Sequence, residues 1–97
     1  MKPFRWAADK NEQLMTERGL SFEQVVVSME SGGLLDVVMH RNPTKYPRQR
    51  VFVVAYASYV CLVPFVEEDD FYILKTIIPR RKATREYLGH AESDDQA

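Results

Sequence analysis

The sequence predicts an α+β fold: one domain with two N-terminal helices and a C-terminal helix packed on an antiparallel sheet, in the order β-α-α-β-β-β-β-α. Three observations lead there. The first third is rich in helix formers and carries cap and stop signals. From Leu34 onward the texture changes to β-branched and aromatic runs separated by short polar turns. After Pro79 the chain returns to helical spacing.

Residues 3–6 read as a short first strand. Residues 8–18 are helix formers, and Gly19 stands where a left-handed C-terminal stop belongs. Ser21 opens a second helix, with Gln24 three positions on as its capping-box partner. Phe22, Val25, Val26 and Met29 fall at i, i+3, i+4 and i+7 and form one apolar stripe. Ser31, Gly32 and Gly33 end that helix. Strands are expected at 34–40, 51–56, 59–66 and 71–78, joined closely enough to form a meander of hairpins. The prolines and polar residues of 42–47 mark a loop. Pro64 cannot donate to a ladder and is expected at an edge or a bulge. Residues 81–88 form the last helix. The single domain is expected over 1–90, with 91–97 an acidic, flexible tail.

Strands 51–56 and 59–66 are apolar on both alternating faces. Two short helices cover one face. The other needs the C-terminal helix or another chain, because large bare apolar patches are rare in monomers.

Composition narrows the function classes. The 97 residues carry 45% apolar and 28% charged side chains, enough for one modest core. No run approaches the roughly 18 apolar residues of a membrane span, and the N-terminus has no apolar leader core. Cys61 is the only cysteine and sits between Val60 and Leu62, which suits a buried thiol in a reducing cytoplasm. His40 and His90 are the only histidines, and no Cys/His spacing suits a metal. No glycine-rich phosphate loop is present, so no nucleotide cofactor is expected.

The net charge of −1 conceals segregation along the chain. Arg41, Lys45, Arg48 and Arg50 occupy one stretch without acids. Lys75, Arg80, Arg81, Lys82 and Arg85 occupy a second. The acids gather at 67–70 and near the C-terminus. One positive face fits this pattern, and so do solvated loops and a solvated helix face. The junction at residues 78–82, where a strand meets a helix start, can hold a phosphate, because cations and free N–H groups converge there.

Phosphoryl transfer on RNA needs charge stabilisation, activation of a 2′-OH and protonation of the leaving oxygen. Arg81 and Arg85 lie one helical turn apart and are the first candidates, with Lys75 beside the junction. Arg81 equally suits a structural role, bonding nearby carbonyls or a carboxylate. Glu86 and His40 are candidate acid/base groups, although Lys82 and Glu86 at i, i+4 also suit a surface ion pair, and His40 a solvated strand end. Ala83 and Tyr87 share a third line that suits packing. Arg50, Arg48, Lys45, Arg80 and Lys82 are candidate RNA-binding residues.

Three islands in this order resemble the BrnT-type toxins of bacterial type II toxin–antitoxin systems. They are Phe4-Arg5-Trp6 with Lys10 following, Gly19-Leu20-Ser21-Phe22-Glu23, and Ile77-Ile78-Pro79-Arg80-Arg81-Lys82-Ala83-Thr84. The thirteen-residue step from Trp6 to Gly19 also fits. A ribonuclease working without a metal or cofactor is expected, and the resemblance implies a RelE-like fold and ribosome-independent ribonuclease activity that arrests growth. It also implies neutralisation by a small ribbon-helix-helix antitoxin, through which alone operator DNA is reached, and a cytoplasmic site of action. The family's arginine falls on Arg81, and its downstream Glu and Tyr on Glu86 and Tyr87. Departures from the pattern are Ala7 for an Asp, Leu14 for an Asn, Glu17-Arg18 for Lys-His, and Pro79-Arg80 for Ser-Ala. A non-catalytic binding module, or a toxin acting on a gyrase in the manner of ParE-like proteins, is the competing expectation.

Overall fold

The computed structural model describes residues 1–89. His90 and the tail expected at 91–97 lie outside the described residues. The element order is β1 (Phe4–Arg5), α1 (Ala8–Arg18), α2 (Phe22–Ser28), a kinked turn (Met29–Gly33), β2 (Leu34–Met39), β3 (Gln49–Tyr56), β4 (Tyr59–Glu67), β5 (Tyr72–Leu74), β6 (Ile78–Pro79) and α3 (Arg81–Leu88). The architecture is α+β, with helices on a sheet ordered β1-β5-β4-β3-β2 and β6 beside β4.

The helices follow their local signals. Gly19 takes φ 67° and returns its N–H to the end of α1. The Ser21 hydroxyl accepts the Gln24 N–H at 3.2 Å and caps α2. Asn11, buried in α1, holds the two helices together. Its Oδ1 accepts the Phe22 N–H and its Nδ2 donates to Glu23, both at 2.8 Å. Gly32 at φ 97° makes the turn into β2.

Three expectations about the sheet need correction. The strand expected at 71–78 is two strands, β5 and β6, because Ile77 turns into the core and its carbonyl accepts Arg18 Nη1 at 2.7 Å instead of a ladder partner. The sheet is mixed, because β1 pairs with β5 in parallel. Pro64 lies in β4, the central strand, opposite Val51. Its carbonyl accepts the Lys75 N–H at 2.8 Å, so its nitrogen faces the gap between β5 and β6, where no donor is needed. The bulge is elsewhere, between Leu34 and Asp36.

The main core lies under α1 and α2. Leu14, Phe22, Val25 and Met29 from the helices meet Phe52, Val54, Val63 and Phe65 from the sheet. The Phe52 and Phe65 rings stack at 3.8 Å. Burying each phenyl group contributes about 2–3 kcal/mol. A smaller cluster on the opposite face joins Val53 and Val60 to Ala83 of α3. Two small buried residues, Ala83 and Thr84, let α3 approach β4 closely. The Thr84 hydroxyl accepts the Val60 N–H and donates to the Arg80 carbonyl, both at 2.9 Å, while the Arg80 N–H bonds Val60 O at 3.0 Å. The helix is thereby stapled to the edge of β4 that β6 leaves open. It covers only part of that face. Among the described residues no helix is long and apolar enough to cross a membrane.

Candidate nucleic-acid interface

The uncovered part of the second sheet face is a groove of about 320 Å³ between α3 and β2. Val51, Val53, Leu62, Pro64 and Ile78 make an aliphatic floor. This floor follows from strand alternation, which sends Phe52, Val63 and Phe65 to the helix-covered core and their neighbours to the other side. The walls carry the polar groups: Arg80, Lys82, Glu86 and Tyr87 from the α3 side, His40 and Arg41 from the end of β2. Three cations and one carboxylate therefore line an otherwise apolar depression.

Helical phase decides which cations reach it. Ala83 and Thr84 point inward, so the lines 82/86 and 83/87 flank the groove, while Arg81 and Arg85 are exposed outside it. Of the sequence candidates, the groove gathers His40, Arg80, Lys82 and Glu86. Arg81, Arg85 and Lys75 are not among its lining, and Lys75 is exposed beside the β5–β6 gap. Lys82 and Glu86 make no ion pair among the described residues, so both side chains are available to a ligand.

Of the first basic stretch, only Arg41 joins the second at the groove. Arg50 pairs in register with Phe65, on the helix-covered side of the sheet, and its guanidinium bonds Glu67. Lys2 Nζ reaches the same carboxylate at 2.7 Å. These cations hold Glu67 below the usual carboxylate range, with the Lys2 hydrogen bond the largest cause. Arg48 lies 4.0 Å from Glu68. Lys45 Nζ sits over the Tyr46 ring. The acidic turn thus folds back on Arg48 and Arg50, and charges segregated along the chain are neighbours in space.

His40 is held in one orientation. Its Nδ1 accepts the Asn42 N–H at 3.0 Å, and its ring lies 4.5 Å from that of Tyr46. An accepting Nδ1 leaves the proton on Nε2. Tyr87 donates to Asp36 Oδ2 at 2.9 Å, tying α3 to β2 at one end of the groove. That bond, burial and the Asp36 and Glu86 charges raise the phenol above its ordinary range.

Two groove residues were not among the sequence candidates. Arg41 stood out in the sequence only as part of a basic run, and Tyr87 only as packing and, through the resemblance, as the family's downstream tyrosine; its position four residues after the buried Ala83 brings it to the groove. Among the described residues no three His, Cys, Asp or Glu side chains converge as metal ligands would. No family model and no curated protein matches the chain.

Proposed function

We propose that this chain is a ribonuclease of the toxin–antitoxin kind and that the α3–β2 groove is where RNA binds and is cut. The observation that carries the reading is the meeting of Arg41, Arg80 and Lys82 with Glu86 and His40 around one open depression. Arginine forks suit phosphate oxygens, and the first turn of α3 has no side-chain cap to occupy its N–H groups. The aliphatic floor accepts a base or ribose face.

The chemistry assigns itself by donor and acceptor capacity. The Glu86 carboxylate takes the proton of the 2′-OH as that oxygen bonds to phosphorus. The P–O5′ bond breaks, and the Lys82 ammonium returns a proton to the leaving 5′-oxygen, giving a 2′,3′-cyclic phosphate. Arg80 and Arg41 stabilise the charge on the five-coordinate phosphate. His40 lines the groove with its Nδ1 accepting the Asn42 N–H and takes no part in the bond change. Tyr87 is excluded as the proton donor, because its hydroxyl is engaged by Asp36 and its pKa is raised. Arg81 and Arg85 steer RNA from outside the groove and take no part in the bond change.

The resemblance to BrnT-type toxins extends this reading to a cytoplasmic growth-arresting toxin with a cognate ribbon-helix-helix antitoxin. The apolar floor favours a second reading, a binding module that holds nucleic acid or an acidic protein segment without cleaving it. RNA incubated with the protein in EDTA separates them. Cleavage that leaves cyclic phosphate ends supports the nuclease, and binding without cleavage supports the module.

A further inference from the structure

We propose that β2 is a self-association edge: two copies of this chain pair their β2 strands antiparallel about a two-fold axis at Val38, with Asp36 of each facing His40 of the partner subunit. β2 ends the sheet order, so among the described residues one of its sides has no strand partner. Edge strands are usually guarded by Lys, Pro, a bulge or shortness. Here the bulge lies at the N-terminal end, between Leu34 and Asp36, and the sole charge in the strand is Asp36. Val37, Val38 and Met39 follow it unguarded and exposed, Met39 by 64%.

The backbone fixes the register. The His40 N–H bonds Gln49 O at 3.4 Å, so His40, and by alternation Val38 and Asp36, turn their backbone groups toward β3. Val37 and Met39 turn theirs outward. Outward groups pair two strands most fully when Val37 of one copy meets Met39 of the partner subunit, and the reverse, for four backbone hydrogen bonds. That register places Val38 on the two-fold axis. Side-chain chemistry then agrees with it. Valine meets methionine on one face. On the other face valine meets valine, and the Asp36 carboxylate meets the partner subunit's His40, whose Nε2–H is the ring's remaining donor. In the single chain Asp36 Oδ1 accepts the Val37 N–H at 2.8 Å; pairing gives that N–H a carbonyl and frees the oxygen for the imidazole. Pairing at β2 does not require the groove to cleave RNA. It sets two grooves side by side, with an acid from one copy against the histidine that lines the other.

Cysteine scanning under mild oxidation tests the register. A residue on the two-fold axis at a non-hydrogen-bonded position has Cα atoms about 4.5 Å apart, within disulfide reach. Val38→Cys is expected to give a covalent dimer and Val37→Cys a monomer, with buried Cys61 silent in both. Sedimentation of the unmodified chain is expected to show twice the chain mass, reduced to one by Met39→Pro, which removes an outward N–H that β3 does not use. A single-chain mass for the wild type up to millimolar concentration, or cross-linking as fast at 37 as at 38, overturns the proposal. Should Met39→Pro unfold by circular dichroism, the cross-linking pattern decides.

Discussion

The Tyr87 hydroxyl donates to Asp36 Oδ2 at 2.9 Å, and through this bond the last turn of α3 is tied to the edge strand β2. The same pair closes one end of the groove. Tyr87→Phe removes the bond at an exposed position, so the expected loss is about 0.5 kcal/mol, or a Tm lower by roughly 2–4 °C. The phenol is raised in the folded state, so this stabilisation is present below the ordinary tyrosine pKa and is lost as pH rises through the raised value. Wild type and Tyr87→Phe are therefore expected to converge in Tm on alkaline titration.

Thr84→Val leaves the Val60 N–H buried without an acceptor and the Arg80 carbonyl without the hydroxyl. The expected cost is about 2 kcal/mol, a Tm fall of roughly 8–16 °C. Thr84→Ser keeps both bonds and is expected to lose far less. Thermal denaturation of the two variants separates the hydrogen bonds from the methyl packing.

The Lys2–Glu67–Arg50 cluster makes stability depend on acid pH. Glu67 is lowered in the folded state, so its stabilisation is present above the unfolded carboxylate pKa and disappears as pH falls through the lowered value. Lys2 is raised, chiefly by the same hydrogen bond, so its contribution holds below the ordinary lysine pKa and is lost as pH rises through the raised one. Glu67→Gln is expected to flatten the fall of Tm below pH ~4.5 and to weaken the salt sensitivity of the wild type.

Cys61 is almost wholly buried, and burial pushes its thiol up to about 11. A thiol-specific disulfide reagent at neutral pH is expected to react only as fast as the protein opens, and at once in denaturant. Rapid labelling of the folded protein would contradict the packing of β4 described here.

Much of this fold was legible because its signals are local. Gly19, Ser21 and the 22/25/26/29 stripe specify where α1 and α2 stop, start and face. The break between β5 and β6 was not legible, because Thr76, Ile77 and Ile78 are all good strand residues. Burial of Ile77 and the reach of Arg18 from α1 impose it. The neutralisation of Arg50 was readable in principle. A two-residue turn at Ala57 and Ser58 sets Arg50 opposite Phe65, two places from Glu67. Charge grouping along the chain obscured that pairing. On α3 the spacing offered two charged lines, Arg81/Arg85, which the sequence favoured, and Lys82/Glu86. The small pair Ala83 and Thr84 selects between them, because only small residues permit a helix to sit so close to a strand.

The most direct measurement is RNA cleavage in EDTA by the wild type, Arg80→Ala, Glu86→Gln and Arg81→Ala, with folding checked by circular dichroism. If the groove is the site, the wild type cleaves, Arg80→Ala and Glu86→Gln each lose on the order of 100-fold or more, and Arg81→Ala loses a few-fold through weaker steering. Loss of cleavage in Arg81→Ala with Arg80→Ala and Glu86→Gln still active would move the chemistry to the outer face of α3 and contradict the account.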